Sequence, residues 1–353
     1  MVVEESIRTA DFQFRVPERL IPLTPPELRG ERRDHARMAV LHRKTGRLEH
    51  KRFDQLKSYL RRGDVLVIND TMMVHDELKG RTSKGPVRLL LFGHHPDGWH
   101  GLVQPRSKAA RGLVIRFGDD EMRATLVKRT VEDLWLVRFE HDGDFHELLA
   151  RLGNRNMPLY KPLRDRMDTY RNVYSRVPGS LEMPSAGLHF TQDLLDKIAQ
   201  SGVSIVAITL HIGLTELYPY RHIIKGRVES HQVGSEWYHV KQEAARQINH
   251  ARRTGNRVIA VGTSVVRTLE TVAYESRVGT RVRAGTGWTD LFIYPGHDYK
   301  MVDAMLTNLH EPRSSHLMLV AAYAGKEHTL KAYQELVRKR YRFDLFGDSM
   351  LLV

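Results

Sequence analysis

The run from Asp64 to Asp70, DVLVIND, places four consecutive apolar residues between Gly63 and a polar turn. It is too short for a helix and suits a strand buried on both faces, so a sheet begins there. Beyond Val74 come VRLLLF (87–92), WHGLVQP (99–105), GLVIRFG (112–118), MRATLVKR (122–129) and DLWLVRFE (133–140). Turn formers such as Pro96-Asp97-Gly98 and Gly118-Asp119-Asp120 separate these runs, and none has a helical period. Such spacing predicts an antiparallel barrel or sandwich.

After this region the pattern changes. Asp144 to Leu152 and Thr191 to Gln200 carry apolar residues three and four apart and read as helices. SIVAITLHIG (204–213) reads as a strand, Val240 to Arg253 as a helix, RVIAVG (257–262) as a strand and Ser264 to Tyr274 as a helix. LFIYP (291–295) then reads as a strand, with helices over Arg313 to Ala324 and Glu327 to Arg340. Strands alternating with helices imply βαβ units and a largely parallel sheet. The predicted fold class is α/β: a mixed α/β domain, residues 1–70 and 150–353, with an inserted antiparallel β-barrel domain, residues 71–149.

A chain of 353 residues agrees with two domains. Lysine and arginine number 55 against 42 acids, a difference of +13, and the isoelectric point is near 9.9. The excess lies in short clusters such as Arg29 to Arg37 and Arg338 to Arg342, and favours a polyanionic partner or substrate. Cysteine is absent, which excludes disulfide scaffolds, thiolate nucleophiles, iron–sulfur clusters and cysteine-based zinc sites. No signal-like segment and no run near the length needed to cross a bilayer is present, so a soluble, cytoplasmic protein is expected, with a monomer favoured.

Polar clusters follow the predicted strands, where open α/β sheets bind ligands. Asn69-Asp70-Thr71 is the first, and taken alone it reads better as an Asx turn. In the second, Pro184 to Thr191, small residues around Ser185 and Gly187 let backbone approach a ligand, Thr191 can cap a helix, and His189 is a candidate base or hydrogen-bonding group. A lone histidine between apolar neighbours is more often structural, but His211 ends another buried strand, and two such residues raise the case for a shared cleft. Val261 to Arg267 offers a glycine turn and hydroxyls opening a helix, with Thr263 and backbone N–H groups placed to hold a carboxylate or phosphate. It lacks the P-loop lysine, and no G-x-G-x-x-G follows a strand, so those nucleotide-binding modes are disfavoured. Thr307 to Ser315, with His310 and Arg313, is too polar for a plain helix start. No histidine spacing matches a metal motif, His94-His95 reads as a surface pair, and no metal is expected.

In order, these motifs resemble the S-adenosylmethionine:tRNA ribosyltransferase-isomerase family of the queuosine pathway, over about Phe12 to Leu352. The resemblance rests on Val67 to Thr71, Pro184 to Thr191, Thr209 to Leu214, Val261 to Arg267 with Leu269-Glu270, Thr289 to Gly296, Asp303 to Leu319, Tyr341 to Phe343 and Gly347 to Met350. It implies an α/β domain carrying an inserted barrel. It also implies transfer and isomerisation of the ribosyl part of S-adenosylmethionine onto 7-aminomethyl-7-deazaguanine at the tRNA wobble position. Epoxyqueuosine, adenine and methionine would be the products. S-adenosylmethionine would be a consumed substrate with no further cofactor, and the tRNA anticodon arm the macromolecular partner. Within the matched motifs, His189, His211 and Asp70 are the catalytic candidates. Asn69, Thr71, Ser185, Gly187, Thr263, Arg267, Thr307, His310 and Arg313 are the candidates for substrate binding.

The chain departs from the family pattern at named places. Met72 stands where arginine is common, Asp76-Glu77 replaces Ala-Arg, Arg88 takes a usually acidic place, and Gln104 replaces an arginine. Thr215-Glu216-Leu217 replaces Gly-Thr-Phe, and Glu311 replaces an apolar residue. These exchanges leave two alternatives open: a paralogue using S-adenosylmethionine on a non-tRNA acceptor, and a catalytically silent RNA-binding protein.

Overall fold

In the computed structural model, which describes residues 7–130, 133–154, 170–213, 223–277 and 279–353, DVLVIND becomes the strand Val65–Asn69, buried throughout. It lies between Ser204–Leu210 and Val258–Val261, and Ala304–Asn308 follows; all four strands are parallel. Their alternating side chains serve two layers. Val65, Val67, Val206, Ile208 and Ala260 join one core with the helices Gln242–Arg253, Thr263–Val272, Ser315–Ala324 and Lys326–Arg338. Leu66, Ile68, Ile259 and Val261 join another with Leu194, Leu195 and Ile198 of Gln192–Gln200. A strand covered on both faces has no polar face to show, which is why its sequence is continuously apolar.

The sheet is less parallel than expected. Glu236–Val240 and Gly285–Thr289 extend one side antiparallel, and on the other side the carboxyl-terminal strand Ser349–Leu352 inserts antiparallel to Ala304–Asn308. The amino-terminal strand Arg37–Leu41 then pairs parallel to Ser349–Leu352. Buried Asp348 fixes this closure by accepting from the backbone N–H groups of Arg37 and Arg342 and from the Arg37 guanidinium. The expected strand at 291–295 is not one; the strand is Gly285–Thr289. Leu291, Ile293 and Tyr294 pack on the core as a loop, and the Leu291 carbonyl is taken by the Arg267 guanidinium rather than by a ladder partner.

Between Glu77 and His141 six antiparallel strands close on themselves: Glu77–Thr82, Gly85–His95, Gly98–Gln104, Trp135–His141, Met122–Arg129 and Val114–Phe117. A pairing of Arg81 with Arg116 completes the barrel. Its filling includes Leu89, Val103, Ile115, Phe117, Leu126 and Trp135. At Gly80 a Cβ would meet Ile115 at 2.4 Å, so glycine is what lets these walls approach. The helix Phe145–Leu152, capped by the Asp144 carboxylate, packs Leu148 and Leu149 against the same interior. Among the described residues no helix is long and apolar enough to cross a membrane.

Candidate functional site

Four parallel strands deliver their carboxyl ends to one edge of the sheet, where Asn69 and Asn308 end two of them, His211 follows the third and Gly262-Thr263 the fourth. Asn69 is completely buried there. Its amide nitrogen donates to the Leu210 carbonyl (3.0 Å) and Ser264 Oγ (3.2 Å), and its oxygen accepts from the N–H groups of Leu210 (3.0 Å) and Thr71 (3.2 Å). One side chain thus joins three strand ends. Asp70, also buried, accepts from Thr209 Oγ1 (2.6 Å) and from Arg176 Nε (2.7 Å), whose guanidinium is largely exposed. Thr71 Oγ1 and His211 Nδ1 share a 2.8 Å hydrogen bond. Asn69, Thr71 and His211 therefore form one connected set, with Asp70 beside it.

The His211 imidazole lies between two flat groups, His94 at 5.0 Å and Trp237 at 4.9 Å between ring centres. Burial pushes its pKa down to about 3, with His94 and His146 adding to the effect, so the ring is neutral at physiological pH. Gly179 lies against this ring: a Cβ there would come within 2.5 Å of Nε2, at a φ of +144°. His94 corrects the sequence reading of a surface pair. It comes from the barrel strand Gly85–His95, donates from Nε2 to the Gly179 carbonyl (3.1 Å) and stacks on Trp99. The barrel thereby reaches the edge of the α/β sheet.

The Ser185–Gly187 turn comes over the same edge. Ser185 Oγ donates to Asn308 Oδ1 (3.2 Å), and a Cβ at Gly262 would lie 3.6 Å from that of Ala186. Gly187 has no room for a side chain, since a Cβ would collide with Tyr174 Oη and the Asn172 amide. Tyr174 Oη and Asn172 Oδ1 are both buried without a hydrogen-bond partner. His189 follows. Its Nδ1 donates to the Arg33 carbonyl (3.3 Å), which leaves Nε2 as the bare nitrogen, buried and without a partner. Desolvation lowers its pKa to about 4. The ring rests 5.0 Å from Phe53. Through the register Asn308–Ser349 and Ser349–Met38, Arg33 and Phe53 belong to the same sheet edge as His211.

Other sequence candidates are held differently. Thr263 opens the helix Thr263–Val272 behind Gly262, whose φ is +90°. The Arg267 guanidinium is engaged with buried Glu236 and the carbonyls of Leu291 (3.0 Å) and Thr289 (3.2 Å). Glu236 in turn accepts from the Gly213 N–H (3.0 Å), so Arg267 acts on the His211 loop through Glu236. Thr307 Oγ1 bonds His310 Nε2 (2.8 Å), and His310 stacks on His316. Arg313 is exposed, with φ at +61° and its backbone tied to Phe12 and Ile224. Glu270 takes the N–H groups of Lys300, Met301 and Val302; burial opposes its ionisation, but His297 and these bonds keep its pKa below the ordinary value.

Arg176, Glu236 and Trp237 were missed from sequence, and His94 misplaced, because Glu236 and Trp237 reach the edge by strand pairing, Arg176 by its ion pair with Asp70, and His94 only when the barrel meets the sheet. Leu214 to Leu217, including Glu216, lie outside the described residues. Three of the departures turn out to be one feature: Arg88 Nη1 meets Glu77 Oε1 at 3.3 Å and Arg88 Nη2 donates to Gln104 Oε1 at 2.7 Å. An Arg–acid–Arg set expected from the resemblance is replaced by an acid–Arg–Gln set across neighbouring barrel strands. Among the described residues no group of three or more histidines or carboxylates could hold a metal ion.

A cluster of buried polar groups at the carboxyl edge of an α/β sheet, approached by an inserted barrel, stands where open α/β sheets bind small ligands and defines a class of small-ligand enzyme built on a composite scaffold. The chain belongs to the queuosine biosynthesis protein family, whose model matches residues 9–352. A curated S-adenosylmethionine:tRNA ribosyltransferase-isomerase of Caldanaerobacter subterraneus subsp. tengcongensis is 42% identical over 98% of this chain and 100% of its own. One from Acetivibrio thermocellus is 41% identical, with the same coverage. The solved S-adenosylmethionine tRNA ribosyltransferase of Thermotoga maritima is 34% identical, with a TM-score of 0.56 over 97% of this chain and 100% of that one.

Proposed function

We propose that the chain transfers and isomerises the ribosyl part of S-adenosylmethionine onto 7-aminomethyl-7-deazaguanine at the wobble position of a tRNA, releasing adenine and methionine and leaving epoxyqueuosine. The observation that carries this reading is the carboxyl-edge set of Asn69, Asp70, Thr71 and His211, with His189 along the same sheet edge, in a chain that its relatives match from end to end.

The sulfonium acidifies the adjacent ribose C5′ proton. A base that removes it leaves an ylide; ring opening expels adenine, the acceptor amine attacks, and closure of the epoxide expels methionine. We assign the proton abstraction to His189 Nε2, which is buried with no hydrogen-bond partner. A pKa of about 4 keeps the ring deprotonated and ready to accept but makes it a weak base by itself, so the step depends on the charge change within the site. As the imidazole gains charge the sulfonium loses it, so charge moves within the cleft rather than being created there. Asp70 offers negative charge to the sulfonium, Thr71 lines the pocket, and neutral His211 hydrogen-bonds the departing base. The opening N–H groups behind Gly262, with Thr263, suit the methionine carboxylate. Arg267 is a positioning residue, while Ser185, Gly187, Thr307 and His310 shape the rim.

The test incubates the protein with S-adenosylmethionine alone, with an anticodon stem-loop carrying the aminomethyl base, and with the free nucleoside, reading adenine and methionine. Release only with the stem-loop is expected. Release only with the nucleoside would reassign the acceptor, and no release would leave an RNA binder.

A further inference from the structure

We propose that the groove between the helix Gln242–Arg253 and the hairpin formed by Ala273–Ser276 and Gly279–Val282 is a docking surface for the phosphate backbone of RNA, separate from the carboxyl-edge cleft. The identification of RNA as the occupant rests on the proposed tRNA substrate; the anion-binding character does not.

The groove encloses about 610 Å³ and is lined by Arg246, Arg253, Arg281, Arg283 and His250, with no carboxylate among its lining residues. The last turn of a helix attracts basic residues through its dipole, which accounts for His250 and Arg253. It does not account for Arg281 and Arg283, which arrive from the hairpin to face them. Arg246 has Glu243 as a partner, but gathering Arg253, Arg281 and Arg283 beside it is unfavourable unless an anion joins them, and their planar donor forks match phosphate oxygens.

The groove is also fixed in shape. Asn249 on the helix donates to the Val282 carbonyl (3.0 Å) and accepts from the Val282 N–H (2.8 Å), clamping the hairpin at a set distance. Arg283 is held over the Tyr274 ring at 4.5 Å. Arg246 pairs with Glu243 along the helix. Glu275 of the hairpin is engaged by Thr280. The strand Glu236–Val240 connects this surface to the cleft: Glu236 holds Gly213 beside His211, and Val240 ends two residues before the helix. Five residues of strand span roughly 17 Å, a separation a nucleic-acid arm bridges while one nucleotide enters the cleft.

The test measures binding of labelled tRNA to the full chain across a salt series, comparing wild type with Arg281→Glu and with Lys331→Glu. The latter reverses the same charge on an exposed position of another helix, outside the basic clusters. Arg281→Glu should weaken binding at least about tenfold and lower the log–log salt slope by about one, while Lys331→Glu changes little. Unchanged binding in Arg281→Glu, equal loss in both variants, absence of wild-type binding at low salt, or equally potent competition by polyglutamate would each overturn the proposal. Adenine release by wild type, measured separately, reports the proposed function. RNA held through Arg281 without adenine release would sink that function and leave the groove standing.

Discussion

Gly179 shows how a single atom governs this cleft. A methyl group at that position would press on the His211 ring from 2.5 Å at a φ of +144°, and both the collision and the left-handed backbone disfavour any side chain. Gly179→Ala should therefore lower adenine release sharply; activity equal to wild type in a folded variant would show that the ring need not hold its place. His189 makes a separate prediction. A general base contributes about 10²- to 10⁴-fold, so in the role proposed for it His189→Ala should lose adenine release on that scale while still binding S-adenosylmethionine. With the imidazole pKa near 4, kcat/KM should show no fall attributable to His189 until well below the ordinary histidine range. An acid limb centred near about 6.5 that disappears in His189→Gln would show instead a solvated ring.

At the scale of elements, the barrel wall carries an exchange that one residue at a time looks like damage. Glu77 and Arg88 sit on paired strands, and Arg88 reaches Gln104 on the next. Arg88→Glu alone puts two carboxylates together with Glu77 buried, and should destabilise the protein by about 1–3 kcal/mol; adding Glu77→Arg should recover part of that loss. Additive losses in chemical unfolding would show that the two do not interact. The Asn69 clamp is the corresponding device in the sheet. Asn69→Ala would leave the Leu210 carbonyl and N–H without these partners inside the core, at a cost of about 1–3 kcal/mol for each buried group left unpaired.

For the whole molecule, buried imidazoles link folding to pH. His189, His94 and His100 have pKa values lowered to about 4 and His211 to about 3, all through desolvation first. The unfolded chain binds those protons near 6.5, so between that value and the folded values it holds more protons than the native state. The stabilisation is complete above about pH 6.5 and is lost as pH falls toward 4 and then 3. For His189 alone the loss is roughly 3 kcal/mol. Urea midpoints should fall steeply on acidification below neutrality, and His189→Phe should flatten the curve; a pH-independent midpoint would count against neutral burial.

Local chemistry made much of this legible in sequence. Continuous apolar runs exposed the central strands, turn residues exposed the barrel strands, and Asp144 and Thr191 marked helix starts that their side chains do cap. Polar residues following apolar strands located the edge where the cleft forms. Partners distant along the chain were not legible. His94 read as surface because the stack with His211 and Trp237 exists only once the barrel meets the sheet, and 291–295 read as a strand because apolar content does not reveal whether a carbonyl meets a ladder or Arg267. The sequence by itself determined which segments are strands buried on both faces, since burial on both sides leaves a continuous apolar record. Only the tertiary structure decided that Arg267 serves Glu236, that Glu77, Arg88 and Gln104 act together, and that four arginines converge on one groove, because those contacts join residues that pairing and packing bring together from separate elements.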